Sequence, residues 1–253
     1  MSKKKKQKLS LRFIIGIGLS ILLCITLIGA VKWANYRQTF TINNIKISGD
    51  HIIDKSAYLS IIAPLEKESI YQANLREIAQ VIEDNPFVKA AQVSRQFPNK
   101  ITINIVERNP LAIINLSEKL MIDGDGVVLP NHPYSNEALI PILSGFNPST
   151  DLYPHGEKTF SVKVKEAVSI LNKLSNGYPE LYENISELTL NKDDEYVIIL
   201  SDRPTRVVLG RNDIMTKLNV LKNFDAALGQ RQLTDFRLLD MRYKKQLVAR
   251  EWT

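Results

Sequence analysis

The longest apolar stretch of the chain covers residues 13–31 and contains no charged side chain. As a helix, its 19 residues would rise about 28 Å, close to the roughly 30 Å hydrocarbon core of a bilayer. Its apolar residues surround the helix axis instead of forming one stripe, which is typical of a membrane span or a deeply buried helix. The pattern therefore predicts a single transmembrane helix near the amino terminus.

Basic residues are concentrated before this helix and predict its orientation. Residues 1–12 contain no acidic residue and six basic ones: Lys3, Lys4, Lys5, Lys6, Lys8 and Arg12. The positive-inside bias keeps this arm in the cytoplasm and sends the rest of the chain across the membrane. A cleaved signal peptide is the alternative, but Ile28 stands where a cut after Ala30 would need a small residue. We therefore expect an uncleaved membrane anchor.

The net charge of +6 comes from this cytoplasmic arm. Without its six basic residues, the chain has 27 basic and 27 acidic residues, so the exported part is neutral. We expect no nucleic-acid binding, which needs a basic patch on a folded domain, and we assign the lysines to topology and to contact with anionic lipid. Cys24 is the single cysteine and lies inside the span, so no disulfide stabilises the exported part.

Beyond the span, residues 32–40 form a mostly polar connector. Its Trp33 and Tyr36 suit the outer membrane interface, and they are equally consistent with an ordinary tether. Isoleucines before a Gly-Asp turn signal then predict a strand, and Asp54 and Asn74 are placed to cap two short helices. Two further strands are predicted at residues 88–97 and 101–105, giving the order strand, helix, helix, strand, strand.

Two phrases in this segment resemble a known domain. Residues 85–98 read Asn-Pro-Phe-Val-Lys-Ala-Ala-Gln-Val-Ser-Arg-Gln-Phe-Pro, and residues 107–112 read Glu-Arg-Asn-Pro-Leu-Ala. Together they resemble the signature stretches of the POTRA domain in the bacterial FtsQ/DivIB cell-division family. The resemblance implies a POTRA domain with β-α-α-β-β order over residues 41–109.

Residues 110–253 resemble the carboxy-terminal β-rich domain of the same family, through the phrases at residues 122–128, 140–145 and 209–211. Periodicity predicts a helix after Ser161, another beginning near Ile214, and short strands at residues 111–116, 119–122, 127–129, 185–190, 196–200, 205–209, 236–241 and 246–252. The expected fold class is α+β: a single amino-terminal transmembrane helix, a POTRA domain, and a mixed helix/antiparallel-sheet domain.

We find no catalytic, cofactor-binding or metal-binding motif in the sequence. The three histidines lie in separate turn-like segments without metal-ligand spacing, and there is no nucleophile elbow or phosphate-binding loop. Residues 123–126 read Asp-Gly-Asp-Gly, but Val127 and Tyr134 stand where a calcium loop needs oxygen ligands. We therefore interpret this segment as a tight turn and expect neither enzyme activity nor a cofactor.

The remaining candidate for function is the edge of a sheet. Strand 246–252 is the last one predicted, and an edge strand can accept a partner's strand through main-chain hydrogen bonds. The candidate docking residues are Tyr243, Lys244, Lys245, Gln246, Leu247, Val248 and Trp252. Two alternatives stay open: the lysines suit a protective charged edge, and the two aromatic residues suit core packing of the closing hairpin.

The family resemblance adds partners to this surface. It implies that the carboxy-terminal edge receives the small bitopic protein FtsB, itself paired with FtsL, with an aromatic pair at Tyr243 and Trp252. Arg95 belongs to the POTRA part, which the family uses for recruitment and for other divisome membrane proteins. The sequence departs from the family at residues 244–246, where a glycine-containing turn is usual, and one extra residue separates the aromatic pair.

These expectations give one main function and two alternatives. The main hypothesis is a non-enzymatic scaffold of the inner membrane and division septum. It would link early and late division proteins, join FtsB and FtsL to the septal peptidoglycan synthesis machinery, and control septum assembly. The first alternative is a membrane-anchored POTRA chaperone for exported polypeptides. The second is an extracytoplasmic enzyme, which lacks support because no catalytic constellation is found.

Overall fold

The computed structural model describes residues 11–65, 67–133, 139–243 and 246–252. Helix α1, Leu11–Tyr36, contains the predicted span and continues five residues beyond it. The part long and apolar enough to cross a membrane is Phe13–Ala34, and its side chains are not buried by the rest of the chain. The first half of the predicted connector is therefore helical, with Trp33 and Tyr36 in the last turn of α1.

The first lobe, residues 39–108, has the predicted order of elements. These are β1, Asn44–Ser48; α2, Lys55–Ile62; α3, Leu75–Glu83; β2, Val88–Gln96; and β3, Lys100–Glu107. The sheet order is β1-β3-β2, with β1 parallel and β2 antiparallel to β3. Both predicted caps are confirmed, because the Asp54 carboxylate accepts from the Ser56 N–H and the Asn74 side chain accepts from the Glu77 N–H.

Alternation on the central strand β3 builds the core of this lobe. Ile101, Ile103 and Ile105 point to the covered face and are almost fully buried. Tyr58 of α2 and Ile82 of α3 pack on the same cluster from the helical layer. Burial at this spacing fixes the register, since a one-residue slip would turn all three isoleucines to the opposite face.

The second lobe, residues 109–252, is one nine-stranded sheet with helices against it. Its helices are α4, Val162–Gly177; α5, Pro179–Glu183; and α6, Ile214–Ala227. Its strands are β4, Pro110–Asn115; β5, Lys119–Asp123; β6, Val128–Leu129; β7, Ile142–Ser144; β8, Ile185–Leu190; β9, Tyr196–Leu200; β10, Arg206–Gly210; β11, Phe236–Asp240; and β12, Val248–Glu251. The strand order is β12-β11-β10-β9-β8-β7-β4-β5-β6.

The expectation of an antiparallel sheet in this lobe is corrected to a mixed sheet. Strand β7 pairs in parallel with both β4 and β8, and β10 pairs in parallel with β11. Two of these parallel pairs are joined by helical crossovers, through α4 and α5 or through α6, and such long connections are what parallel neighbours need. The remaining pairs are antiparallel, as predicted.

The two ends of the nine-stranded sheet differ. At one end, the loop around residues 155–159 covers β6, where the Val128 N–H donates to the Glu157 carbonyl and the Gly156 N–H donates to the Val128 carbonyl. At the other end, no strand or bridge of the described residues pairs with the outer side of β12. The main-chain groups on that side of β12 are therefore open to a partner.

A single carboxylate connects β3 to the segment that joins β1 and α2. Glu107 accepts hydrogen bonds from the N–H groups of residues 51, 52 and 53, at 2.9, 2.6 and 3.1 Å, and from the Tyr58 hydroxyl at 2.8 Å. Burial alone would raise the pKa of Glu107, but the hydrogen bonds from Ile52, Tyr58 and their neighbours outweigh it and hold the pKa below its ordinary value.

Replacing Glu107 by glutamine should destabilise the first lobe by about 1–3 kcal/mol, because the amide –NH2 would face backbone N–H donors that now share a charged acceptor. Native-state hydrogen exchange of the full chain in detergent measures this as faster exchange over residues 51–58. Glu118→Gln is the matched control, since Glu118 is exposed in the β4–β5 turn. Equal exchange in both variants would contradict a role for Glu107.

The same contact predicts a pH dependence. Since the folded-state pKa of Glu107 lies below its unfolded value of about 4.3, the contact stabilises the lobe fully above that pH. Its contribution is lost as the pH falls through the folded-state pKa, where both states are protonated. We expect acid to speed exchange over residues 51–58 in the natural chain and to have a smaller added effect in Glu107→Gln, after correction for the intrinsic rates.

Candidate protein-docking surface

Strand β12 forms the closing hairpin with β11. Ala249 lies opposite Leu239 and Val248 lies opposite Asp240, while the register shifts between residues 236 and 238. All four side chains of β12 are exposed. In such an antiparallel pair, every second residue turns its N–H and C=O away from the neighbouring strand. The strand therefore presents both a ladder of backbone groups and exposed side chains.

The two predicted aromatic anchors have different environments. The Trp252 indole N–H donates to the Thr234 carbonyl at 3.1 Å, which ties the end of β12 to the turn before β11. Tyr243 is 55% exposed at the beginning of the hairpin loop. Trp252 is therefore half-buried and tied to the turn before β11, whereas Tyr243 remains available at the hairpin.

The other predicted docking residues are distributed between the surface and the core. Gln246 and Val248 are exposed, and Leu247 is partly buried against the hydrophobic core. Lys244 and Lys245 lie outside the described residues. The structure thus brings Tyr243, Gln246 and Val248 to one hairpin, and their role in binding stays a prediction.

An ion pair that the sequence reasoning missed fixes the entry to the hairpin. At the end of β11, Asp240 is buried and accepts from the Arg242 guanidinium at 2.7 Å and from the Arg242 backbone N–H at 3.0 Å. The hydrogen bond from Arg242 holds the pKa of Asp240 below its ordinary value. Arg242 also lies 3.6 Å from Glu195 of the neighbouring hairpin. The only signal in the sequence was an acidic and a basic residue two positions apart.

Arg95 lies in the first lobe, far along the chain from the hairpin. Its Nε donates to the Ile70 carbonyl at 2.7 Å and its Nη2 donates to the Ala73 carbonyl at 2.6 Å. Arg95 therefore has a structural task, which is to hold the loop before α3 against β2. Its predicted contact with a partner stays a prediction.

The phrases that carried the family resemblance meet at the joint between the two lobes. Arg108 donates to the Asp123 carboxylate at 2.9 Å, and both side chains are largely buried, 17% and 4% exposed. Asp123 also accepts from the Val127 N–H at 2.8 Å. Beside this pair, Lys89 of β2 lies 2.7 Å from Asp125, and its ammonium lowers the pKa of that carboxyl.

Apolar residues complete the joint. Phe87, which precedes β2, packs into a buried cluster of the second lobe that comprises Ile113, Met121, Val127 and Leu129. The turn at residues 123–126 is held in turn by α4, where the Asn172 side chain donates to the Gly124 carbonyl at 2.7 Å. A Cβ atom at Gly124 would lie only 2.8 Å from the Asn172 side-chain oxygen, so a larger residue here would have to displace the Asn172 side chain. The tight-turn interpretation of this segment therefore agrees with the structure.

Within the described residues, no group of three or more His, Cys, Asp or Glu side chains is arranged to hold a metal ion. The cavity at the joint is lined by polar residues such as Arg108, Asp123 and Asn176. The exposed edge of β12 is thus the feature with the clearest capacity for recognition, and the chemistry it offers is main-chain pairing.

Comparison with known proteins agrees with this arrangement of lobes. Residues 40–108 match a family model described as a POTRA domain of the FtsQ type, so the first lobe is a POTRA domain. Residues 112–242, more than half of the chain, match the carboxy-terminal domain of the cell division protein FtsQ/DivIB. The chain belongs to the FtsQ/DivIB family of cell-division proteins.

Individual relatives are distant in sequence but similar over much of their length. The cell division protein FtsQ of Geotalea daltonii is 23% identical over 90% of this chain and 83% of its own length. The cell division protein FtsQ of Geobacter sp. strain M21 is 22% identical over 82% of this chain and 74% of its own length. The cell division protein DivIB of Clostridium tetani is 25% identical over 71% of this chain and 68% of its own length.

Removal of the Arg108 side chain should loosen the joint. Arg108→Ala leaves the buried Asp123 carboxylate without its cation, and losing one partner of a buried pair costs roughly 3–5 kcal/mol. We expect a broader distribution of distances between spin labels at Gln92 and Asp193, placed in a Cys24→Ser background. Lys163→Ala is the control, because it removes an exposed ion pair within α4. Equal widths for both variants would contradict the assignment.

Proposed function

We propose that this protein is a non-enzymatic scaffold of the cell-division machinery that binds an FtsB-type partner, itself paired with an FtsL-type protein, by strand addition to β12. The observation that carries the proposal is the open outer side of β12, at the end of a sheet whose other end is covered. Family membership supports a role in division. The partner and the mode of binding are our inference.

The proposed topology follows from the charges around α1. The arm of residues 1–12, with its six basic residues, stays in the cytoplasm, and the two lobes lie in the periplasm. We place the protein in the inner membrane at the division septum, where it links bitopic partners to the septal peptidoglycan synthesis machinery. A single-pass anchor suits this task because it brings periplasmic binding surfaces to one membrane.

Strand addition explains why the docking surface has few conventional anchors. Main-chain hydrogen bonds supply affinity, while alternating side chains supply specificity. On β12 the exposed Val248 and Arg250 share one face and Ala249 and Glu251 the other. The Glu251 carboxylate already forms an ion pair with Arg231 at 2.7 Å. The face with Val248 and Arg250 is therefore the better candidate for contact with a partner's side chains.

The chaperone alternative is less well supported. It would use the POTRA lobe to guide exported polypeptides, yet the larger lobe matches the FtsQ/DivIB carboxy-terminal domain. Capture of many unfolded clients, and not of one bitopic pair, would favour that alternative.

Proline substitutions at two neighbouring positions of β12 test strand addition. The N–H groups of Ala249 and Arg250 point to opposite sides of the strand, so one proline removes a bond to β11 and the other only a bond to the partner. We expect the proline at the position whose N–H points away from β11 to abolish recovery of the FtsB-type partner from membranes, while the thermal stability of the protein stays unchanged. Full recovery with both folded variants would contradict binding at this edge.

Depletion of the protein in its native cell tests the wider function. We expect long filaments without septa, because the septal machinery would lack its scaffold. A chain that lacks residues 243–253 should remain in the membrane but fail to restore division or to recover the small partners. Normal division after depletion would refute the proposed function, and retained recovery by the truncated chain would move the docking site elsewhere.

A further inference from the structure

Three aromatic rings, two of them exposed and one partly buried, form a cluster at the surface of the first lobe. The Phe40 and Tyr71 ring centroids are 5.2 Å apart, and those of Tyr71 and Phe97 are 5.4 Å apart. Tyr71 and Phe97 are each 60% exposed. The three-ring cluster comes from three separate segments of the chain, so the fold has brought these rings together at its surface. These rings form one contiguous apolar surface and are not scattered singly, and contiguous exposed apolar surface is the feature that marks protein or membrane contact sites.

The three-ring cluster lies where the chain leaves α1. The Thr39 N–H donates to the carbonyl of Ala34, the last residue of the apolar span, at 3.1 Å. Phe40 follows immediately, and its carbonyl accepts from the Ile70 N–H at 2.8 Å. The turn after the span therefore runs directly into the lobe, and Phe40, the first ring of the cluster, lies six residues after the end of the span.

Hydrogen bonds hold the three rings in this position. Arg95 donates to the carbonyls of Ile70 and Ala73, on either side of Tyr71. The Asn43 N–H donates to the Asn99 carbonyl at 3.2 Å, which fixes the β2–β3 turn that carries Phe97. The exposure of the rings is thus built into the fold and does not result from a loose loop.

We propose that the three-ring cluster inserts into the outer headgroup region of the bilayer, so that the POTRA lobe rests on the membrane surface. The ligand is the phospholipid interface itself, in which aromatic rings are favoured because they combine an apolar body with a polar or polarisable edge. This inference rests on the membrane topology proposed above. It gives Arg95 the role of a positioning residue for the lipid contact.

The end of α1 carries an aromatic residue that also suits the membrane interface. A bilayer of about 40–45 Å with a hydrocarbon core of about 30 Å has interfacial layers of roughly 5–8 Å on each side. Trp33 lies in the last turn of α1 with the Arg37 guanidinium 5.6 Å from its ring centroid, an arrangement suited to the same layer. Phe40 of the three-ring cluster follows Trp33 by seven residues in the chain, so both aromatic features lie next to the end of the span.

The test uses the full chain, one copy in each phospholipid nanodisc, which excludes a second copy as the occupant. In a Cys24→Ser background, a spin label at Gln96 reports beside Phe97, and the control label at Gln92 lies on the same face of β2, about 13 Å along the strand. The ratio of accessibility to oxygen and to a water-soluble nickel complex measures depth. A third label at Ile21 reports whether α1 spans the bilayer.

We expect a higher oxygen-to-nickel ratio at Gln96 than at Gln92, and its loss to the Gln92 value in the variant Tyr71→Ser/Phe97→Ser. Phe160→Ser should leave the ratio unchanged, since Phe160 is similarly exposed on the second lobe. Arg95→Ala should also lower the ratio, because it removes the hydrogen bonds to Ile70 and Ala73 that hold Tyr71 in position. The effect should be equal in zwitterionic and in half-anionic nanodiscs, because rings and not charges make the contact.

The outcomes separate this inference from the proposed function. A deep label at Ile21 with water-like values at both Gln96 and Gln92 overturns the lipid contact and leaves the membrane anchor standing. A water-exposed label at Ile21 overturns the proposed topology itself. A high ratio at Gln96 that survives Tyr71→Ser/Phe97→Ser, or that needs anionic lipid, also overturns the assignment to the rings.

Discussion

The main constraint on this structure is that an open β-sheet has two edge strands. Each end leaves N–H and C=O groups without a partner strand, and an unprotected end invites pairing with another chain. Here β6 is covered by hydrogen bonds from the loop at residues 155–159, whereas the outer side of β12 has no such cover among the described residues. This asymmetry is the physical basis for our proposal of strand addition.

The charged residues in the family phrases serve the architecture that presents this edge. Glu107 draws three backbone N–H groups and a hydroxyl onto one carboxylate, and the next residue, Arg108, reaches across to the buried Asp123. A buried ion pair is weak support for stability, but an arrangement of the lobes that separated Arg108 from Asp123 would leave a buried charge unpaired, which is costly. The joint therefore fixes the position of the second lobe, which carries β12, against the POTRA lobe, which follows α1 in the chain.

Periodicity predicted most elements because local signals agreed with burial. The alternating isoleucines of β3 and the helix caps at Asp54 and Asn74 depend only on residues that are close in the sequence. The mixed sheet could not be predicted in the same way, because strand direction depends on where α4 and α6 return the chain. Helix α5 was missed since its five residues are too few to show a helical period.

The candidate site was predicted in outline and not in detail. The sequence indicated an edge strand and its two aromatic residues, but not that Trp252 would donate to Thr234 while Tyr243 stayed exposed. It also gave Arg95 as a binding residue without showing its bonds to the loop before α3. Such contacts join residues that are distant in sequence, so no local pattern reports them.

Hydrogen exchange of the full chain, free and bound to its FtsB-type partner, tests the central claim most directly. Strand addition predicts that the outward-facing N–H groups of residues 248–251 exchange slowly only in the complex, while the β11–β12 bonds are protected in both states. A stable complex in which exchange over residues 248–251 is unchanged, with protection appearing on another surface, would contradict the account.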